Sequence, residues 1–237
     1  MIKKSLRKHM NILITAGPTR EPIDPVRFLS NYSTGEMGYA IAQEAKQKGH
    51  RVILISGPSG LKVPENIKLI NVETTRDMEK SVENLYKWAD CVIMASAVSD
   101  YRVEKAFSRK IKSKKSLNLK LVRNPDILKE LGSRLRCFAP RRDPAETRQR
   151  RGACGKKYKI LAGFALESEN LRENALKKLK EKNLDIIVAN KIGKRSPFGA
   201  GKTSVLVLDK LGKAQSYKDI SKKRVAGILL DKIEGLC

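Results

Sequence analysis

Short runs of β-branched and aliphatic residues alternate with amphipathic stretches from residue 10 almost to the end of the chain, and this alternation constrains the fold most strongly. Seven of the runs suit strands that are buried on both faces of a parallel sheet. They cover residues 11–15, 51–56, 67–72, 91–95, 159–164, 185–189 and 204–208. Helices are predicted over residues 37–48, 75–88, 168–182 and 218–233. The order predicts an α/β fold, with a Rossmann-like, mostly parallel sheet and helices on both faces, in a single domain over residues 10–237.

Two segments interrupt this alternation. Residues 102–124 are rich in lysine and contain few large apolar side chains before Leu117–Leu121, whose period-two alternation predicts a short strand. We expect this segment to be a mobile basic flap. Residues 134–158 carry nine Lys or Arg against two acidic residues, contain Pro140 and Pro144, and show no hydrophobic period. Because such a composition buries little surface, we expect a disordered insertion there.

Charge and cysteine content narrow the classes of function. Lys and Arg number 50 against 25 Asp and Glu, a formal net charge of +25, which favours a polyanionic ligand. Charge alone does not separate a nucleotide from nucleic acid, so a basic nucleic-acid-binding protein on a nucleotide-binding fold stays open as the alternative. No apolar run approaches the roughly 20 residues that a membrane span needs, and the four cysteines form no C-x-x-C pair. We therefore expect a soluble cytoplasmic protein with reduced thiols and no membrane contact.

Two loops near the start of the chain are candidate ligand sites. The first strand runs into a turn-rich loop that contains Gly17, at the edge of the sheet where open α/β folds bind ligands. This loop lacks the G-x-G-x-x-G fingerprint, which disfavours a nicotinamide oxidoreductase. Residues 31–38 are small and polar and open directly onto a helix, so their backbone N–H groups and the Ser33 hydroxyl can hold phosphate oxygens. A plain N-cap with a tight turn is the other interpretation of these residues.

Charged residues further along the chain suit a triphosphate. Asp100 follows the fourth strand and suits Mg²⁺ bound to phosphate, although an Asp that caps a loop gives the same pattern. Lys110 begins a basic run in the predicted flap, where an ammonium can neutralise a transferring phosphoryl group. Lys178 and Lys182 are four residues apart, share a helix face, and suit an anion. For all three lysines, a solvated surface is the alternative.

Seven stretches, taken together, closely resemble bacterial phosphopantothenate–cysteine ligase, the synthetase half of the bifunctional coenzyme A biosynthesis protein. They are residues 16–27, 31–38, 97–102, 110–112, 124–128, 163–167 and 189–191. We see no flavin-binding decarboxylase half, so the resemblance implies a stand-alone ligase. The family joins 4′-phosphopantothenate to L-cysteine through an acyl-nucleotide, with CTP in bacteria and Mg²⁺ as the metal. A homodimer is also implied.

The resemblance further implies roles for individual residues. Asn31 would support cysteine addition, Lys110 would close over the acyl-nucleotide, and Arg27 would reach the substrate phosphate across a dimer interface. Arg27, Asn31 and Ala97 would bind the substrate, and Asp100 would lie at the metal. The implied nucleotide site consists of Gly17, Ser33, Gly35, Met94, Ala95, Ser96, Asp100, Lys110, Pro125, Asp126, Ile127, Leu128, Phe164, Lys178 and Lys182.

Overall fold

The computed structural model describes residues 9–112, 115–136, 159–191 and 201–236. Its strands are β1 (Asn11–Ala16), β2 (Arg20–Pro22), β3 (Phe28–Ser30), β4 (Arg51–Ser56), β5 (Lys68–Asn71), β6 (Cys91–Met94), β7 (Tyr101–Val103), β8 (Leu121–Arg123), β9 (Ile160–Glu167), β10 (Ile186–Lys191), β11 (Lys202–Asp209) and β12 (Ala214–Ser221). Its helices are α1 (Glu36–Gln47), α2 (Thr75–Leu85), α3 (Ile127–Arg136), α4 (Leu171–Glu181) and α5 (Lys222–Gly235). None of the described helices is long and apolar enough to cross a membrane.

Eight strands form one sheet in the order β12-β11-β10-β9-β6-β1-β4-β5. The strands from β10 to β5 run parallel, while β11 and β12 are antiparallel additions at one edge. Successive side chains of a strand point to opposite faces, so Ile12 and Ile14 pack with helices α1 and α5, whereas Leu13 packs with α2, α3 and α4. The predicted α/β fold, with a mostly parallel sheet and helices on both faces, is confirmed.

The last helix and the flap strand differ from the sequence-based expectation. Residues 218–221, which we expected to begin a helix, are the end of β12, and α5 begins at Lys222. The Ser221 side chain caps that helix by accepting a hydrogen bond from the Arg224 N–H at 3.2 Å. The strand expected at Leu117–Leu121 is also misplaced, because only Leu121 belongs to β8. Strand β8 pairs with β7, which fixes its register by long-range contact rather than by local pattern.

The two irregular segments are described in part. Strands β7 and β8 form a hairpin from the two ends of the predicted flap, residues 102–124, and the Phe107 N–H within it donates to the Ile23 carbonyl at 2.8 Å. Arg134–Arg136, expected to begin an insertion, belong instead to α3. They extend the helix because Leu135 continues its apolar face and Arg134 pairs with Glu83 at 2.6 Å. Residues 137–158 lie outside the described residues, and movement of the flap remains a prediction, as does the single-domain boundary.

Candidate active site at the switch point of the sheet

The chain leaves β1 in one direction to build β4 and β5, and then returns to build β6, β9 and β10 on the other side. Open α/β sheets bind ligands at the carboxyl ends of the strands where this reversal occurs. Here the loops that follow β1 and β6 meet directly. The Ala97 N–H donates to the Gly17 carbonyl at 2.9 Å, and the Thr19 N–H donates to the Ala97 carbonyl at 3.2 Å. We call residues 17–19 and 95–97 the switch-point loops.

Glycines let three backbone segments approach each other at this edge. Gly17 and Gly35 both adopt positive φ, at +74° and +85°, and a Cβ on Gly35 would lie 3.1 Å from the Gly17 nitrogen. A Cβ on Gly57, in the loop after β4, would lie 1.8 Å from the Pro18 carbonyl oxygen. The two glycines predicted for the nucleotide site are therefore neighbours in space. Gly57 completes this cluster, and sequence reasoning missed it because no glycine motif links it to Gly17.

Helix α1 begins next to this glycine cluster without a side-chain cap. Its N-cap residue is Gly35, which makes no capping hydrogen bond through a side chain. The Ser33 hydroxyl instead accepts a hydrogen bond from the Gly35 N–H at 3.3 Å. The Thr34 hydroxyl accepts a hydrogen bond from the Glu36 N–H at 3.5 Å. Among the described residues, the Met37 and Gly38 N–H groups of the first turn have no side-chain acceptor and remain available to an anion.

Asn31 and Ala97, both predicted to bind substrate, are in direct contact. The Asn31 side-chain amide donates to the Ala97 carbonyl at 2.8 Å, and the Asn31 side chain is otherwise exposed at the switch-point loops. Beneath them, the hydroxyls of Ser96 and Thr15 lie 2.7 Å apart. The Met94 side chain points away into the core, where it is only 6% exposed. Met94 therefore offers a nucleotide little accessible surface.

A second group of predicted nucleotide residues lies at the carboxyl end of β9. Asp126 begins α3 by accepting a hydrogen bond from the Lys129 N–H at 3.0 Å, and its carboxylate also pairs with Lys182 at 3.0 Å. Lys178 pairs in the same way with Glu167 at 2.6 Å. Both lysines therefore carry a carboxylate partner, and an incoming anion competes with that partner.

The apolar members of this group are partly structural. Ile127 is buried, and Leu128 packs against Gly163, where an added Cβ would lie 2.8 Å from Leu128 Cδ2. Phe164 is half-buried in the middle of β9, and Pro125 precedes the helix. These side chains fix α3 against β9, so that the Asp126 carboxylate stands at the same sheet edge as the switch-point loops.

Arg27 and Lys110 form a third group. Together with Ile111 and Lys112 they line a cavity of about 420 Å³. Arg27 is held by the buried carboxylate of Asp24, and this ion pair keeps the pKa of the Asp24 carboxyl well below its usual range. Among the described residues, no hydrogen bond joins this group to Asn31. Of the three predicted catalytic residues, Arg27 and Lys110 thus share this cavity, and Asn31 is not among its lining residues.

Asp100 lies where the loop after β6 meets the hairpin of β7 and β8. Its carbonyl accepts a hydrogen bond from the Asn124 N–H at 2.8 Å, and its carboxylate is on an exposed residue. In the described ranges, no three His, Cys, Asp or Glu side chains are grouped so that they could hold a metal ion. A single exposed carboxylate fits Mg²⁺ that is held mainly by phosphate oxygens and water. The metal site stays a prediction.

A larger cavity of about 950 Å³ opens beside the glycine cluster. Arg20 lies at its margin, with its guanidinium 4.5 Å from the centre of the Phe28 ring. Its lining is polar and of mixed charge: Arg20, Ser56, Pro58, Ser59, Gly60, Asn71, Val72, Glu73, Asp77, Lys80 and Ser81. Sequence reasoning missed this cavity because its walls come from segments that are distant in the chain.

The doubly wound sheet and the glycine-lined crevice at its switch point define a Rossmann-like α/β domain with a ligand site at the carboxyl edge. Residues 7–139 and 148–236 match the family described as DNA/pantothenate metabolism flavoprotein C-terminal domain. The chain belongs to this family, and the resemblance in its motifs is confirmed at that level.

Individual relatives agree with this assignment. The coenzyme A biosynthesis bifunctional protein CoaBC of Bacillus subtilis (strain 168) is 41% identical over 229 residues, which cover 95% of this chain and 51% of the relative. The crystal structure of the C-terminal domain of a CoaBC protein is 38% identical, with a TM-score of 0.74, and the match covers 95% of this chain and 94% of that one. A mutant of Cab2 in complex with phosphopantothenate-cysteine has the same fold, with a TM-score of 0.67 at 16% identity over 95% of this chain and 86% of that one. The chain spans about half the length of the curated relatives it matches.

Proposed function

We propose that this chain is a phosphopantothenate–cysteine ligase, which forms the amide bond between the carboxylate of 4′-phosphopantothenate and the amine of L-cysteine. The observation that carries the proposal is the contact of Asn31 with Ala97 at the switch-point loops, where two motifs of the resemblance converge. Membership of the family, and the role in coenzyme A biosynthesis that the name of the Bacillus subtilis relative states, support it.

The chemistry proceeds in two displacement steps. In the first, a carboxylate oxygen of phosphopantothenate attacks the α-phosphorus of CTP, and pyrophosphate leaves. In the second, the cysteine amine attacks the acyl carbon of the acyl-cytidylate, the C–O bond breaks, CMP leaves, and the amine loses a proton. CTP rather than ATP follows from the resemblance to the bacterial enzymes. Both steps depend on positioning and charge neutralisation, which explains why no paired nucleophile and base is needed.

Each of the three residue groups has a separate role in this mechanism. The glycine cluster and the first turn of α1 offer backbone N–H groups to the triphosphate, since a helix N-terminus favours anions. Asn31 stands at the acyl group, where its amide favours attack by cysteine. Lys110 and Arg27 present positive charge to the phosphates from the flap side. Lys182, already paired with Asp126 at 3.0 Å, borders the site for the nucleoside.

Mg²⁺ enters with the triphosphate in this proposal. Asp100 would hold it through a single carboxylate, with phosphate oxygens and water completing the shell. When bound, the ion neutralises charge on the triphosphate. The residues of the chain orient the two substrates around it.

A homodimer completes the proposal. Seven of the eight large apolar side chains that are exposed among the described residues fall within residues 26–32 and 101–121. They are Val26, Phe28, Tyr32, Tyr101, Phe107, Leu117 and Leu121. Such a concentrated patch favours a protein interface, and we assign it to a second copy of the chain. Phe28→Glu should shift the protein towards monomer in sedimentation, whereas Leu211→Glu, at an exposed apolar residue outside the patch, should not.

Pyrophosphate release tests the proposed function. The full chain is incubated with phosphopantothenate, Mg²⁺ and either CTP or ATP, with and without cysteine. We expect turnover with CTP that cysteine stimulates. The absence of release with either nucleotide, from folded protein, would refute the proposal.

Two variants separate the half-reactions. Asn31→Asp should accumulate the acyl-cytidylate because cysteine addition slows, whereas an equal loss of both half-reactions would contradict its role. Lys110→Gln should slow formation of the intermediate, since a neutral amide does not offset phosphate charge. Lys105→Gln is the matched control, because Lys105 lies in the same flap, is exposed, and does not line the cavity with Arg27. Equal rates for the two lysine variants would remove Lys110 from the mechanism.

A further inference from the structure

The carboxylate of Asp24 accepts hydrogen bonds from two parts of the chain that are distant in sequence. Its Oδ1 accepts from the backbone N–H groups of Val26 and Arg27, each at 2.9 Å. Its Oδ2 accepts from Arg27 Nε at 3.0 Å, from Arg27 Nη2, and from the Ile111 N–H at 3.0 Å. Asp24 is only 4% exposed. A buried carboxylate with this set of donors is held in one position.

Arg27 also contacts Ile111 directly. Its Nη2 also donates to the Ile111 carbonyl at 2.9 Å. The Ile111 residue is therefore held at both polar backbone groups, its N–H by Asp24 and its carbonyl by Arg27. Ile111 directly follows Lys110, so this contact fixes the chain at the point where the flap lysine emerges.

The guanidinium retains donors for a ligand. Arginine has five N–H donors, and Asp24 and Ile111 engage the one on Nε and those on Nη2. The two donors on Nη1 have no hydrogen-bond partner within the part of the chain that the structure describes, and Arg27 lines the cavity of about 420 Å³. A pre-positioned guanidinium with one free nitrogen suits a phosphate oxygen.

We propose that Asp24 is a positioning residue, which latches the flap to Arg27 so that Lys110 and the free Nη1 group of Arg27 line the same cavity. The proposal rests on the proposed function for the identity of the phosphates that these two cations meet. The latch itself is a property of the chain without ligand. It predicts that Asp24 and Lys110 act on one step.

Amide hydrogen exchange tests the latch without any activity. In Asp24→Asn, the Asn Oδ1 keeps an acceptor for the turn at Val26 and Arg27, but the Nδ2 group cannot accept from Ile111. We expect exchange at the Ile111 N–H to accelerate by about tenfold or more. Asp209→Asn is the matched control, because Asp209 also accepts backbone N–H groups in a turn, from Leu211 and Lys213 at 3.0 and 3.1 Å, far from the flap. Unchanged exchange at Ile111 in Asp24→Asn would overturn the latch.

A double-mutant cycle tests what the latch does. Asp24→Asn alone should slow CTP-dependent pyrophosphate release by about tenfold and raise the KM for phosphopantothenate. If Asp24 acts on the chemical step by placing Lys110, Asp24→Asn should cost little more in a Lys110→Gln background when pyrophosphate release is measured at saturating phosphopantothenate, where the binding loss through Arg27 no longer contributes. Multiplicative losses in the double variant would refute the positioning role. If the wild type releases no pyrophosphate, the proposed function fails, while the exchange result still decides on the latch.

A second variant breaks the same contact without changing Asp24, and so distinguishes loss of the latch from a fold defect in Asp24→Asn. Ile111→Pro removes the N–H that donates to Asp24 and leaves the Asp24 carboxylate unchanged. The proline ring also fixes φ at position 111 and restricts Lys110. It should slow the same step and raise the same KM. Wild-type values for Ile111→Pro would contradict the latch as firmly as unchanged exchange.

Discussion

The close packing of helix α1 on strand β1 makes a strong prediction at Gly38. A Cβ at this position would lie 2.5 Å from the Ala16 Cβ and 3.0 Å from the Thr15 carbonyl oxygen. Ordinary carbon contacts begin at about 3.5 Å, so Gly38→Ala requires the helix to move off the sheet by roughly 1 Å. Because the same helix starts at Gly35, this movement also shifts the glycine cluster at the candidate active site.

The size of the effect follows from two opposing contributions. Replacing a helical glycine by alanine stabilises by about 1 kcal/mol when nothing else changes. Overpacking a tight contact costs about 1–3 kcal/mol. We therefore expect Gly38→Ala to lower the free energy of unfolding by up to about 2 kcal/mol, and to weaken nucleotide binding.

Gly227→Ala is the matched control for this substitution. Gly227 also lies inside a helix, α5, but the nearest atom to its added Cβ is Glu44 Oε1 at 3.8 Å. This variant should gain about 0.5–1 kcal/mol. Urea denaturation of both variants measures the difference, with nucleotide affinity as the second readout. If Gly38→Ala were as stable as Gly227→Ala and bound nucleotide normally, the inferred tight contact between α1 and β1 would be wrong.

Further predictions concern a helix cap and the nucleoside side of the site. Thr74→Ala removes the side chain that caps α2 and should cost about 1 kcal/mol at neutral pH. The Thr74 hydroxyl lowers the pKa of Asp77, so the stability it contributes is complete above the ordinary Asp pKa of about 4 and is lost as the pH falls through the lowered pKa. The difference between wild type and Thr74→Ala should therefore shrink in acid denaturation series, and a constant difference down to about pH 2 would contradict this linkage. Lys182→Met should weaken CTP binding about tenfold in calorimetry, while Lys177→Met, whose lysine pairs only with Glu181 one turn along α4 in the described contacts, should not.

Local pattern was enough to predict the central strands. Each is an apolar run buried on both faces, and these strands pair in parallel. Strand β12 escaped prediction because Ala214–Ser221 is an exposed edge strand with Lys218 and Asp219 in its run. This strand forms because it pairs with β11. The local sequence of residues 214–221 does not indicate that pairing.

The candidate site was predictable where its residues lie in loops after buried strands. Asn31 and Ala97, 66 residues apart in sequence, meet because Asn31 lies in the connection that follows β1 and Ala97 lies in the loop that follows β6, and these two strands are neighbours in the parallel sheet. Asp24 was missed because its role depends on Ile111, which is 87 residues away and in a segment without a pattern of its own. Ile111 lies between β7 and β8, so long-range pairing of these strands, rather than a local pattern, positions it.

The decisive experiment on the ligase chemistry follows an oxygen isotope from substrate to product. Phosphopantothenate labelled with ¹⁸O in its carboxylate is turned over with CTP, Mg²⁺ and cysteine, and the products are weighed by mass spectrometry. We predict phosphopantothenoylcysteine together with CMP that carries one ¹⁸O atom, because the carboxylate oxygen that attacks the α-phosphorus leaves with CMP. Absence of the cysteine product, or unlabelled CMP formed alongside it, would contradict a ligase that acts through an acyl-cytidylate.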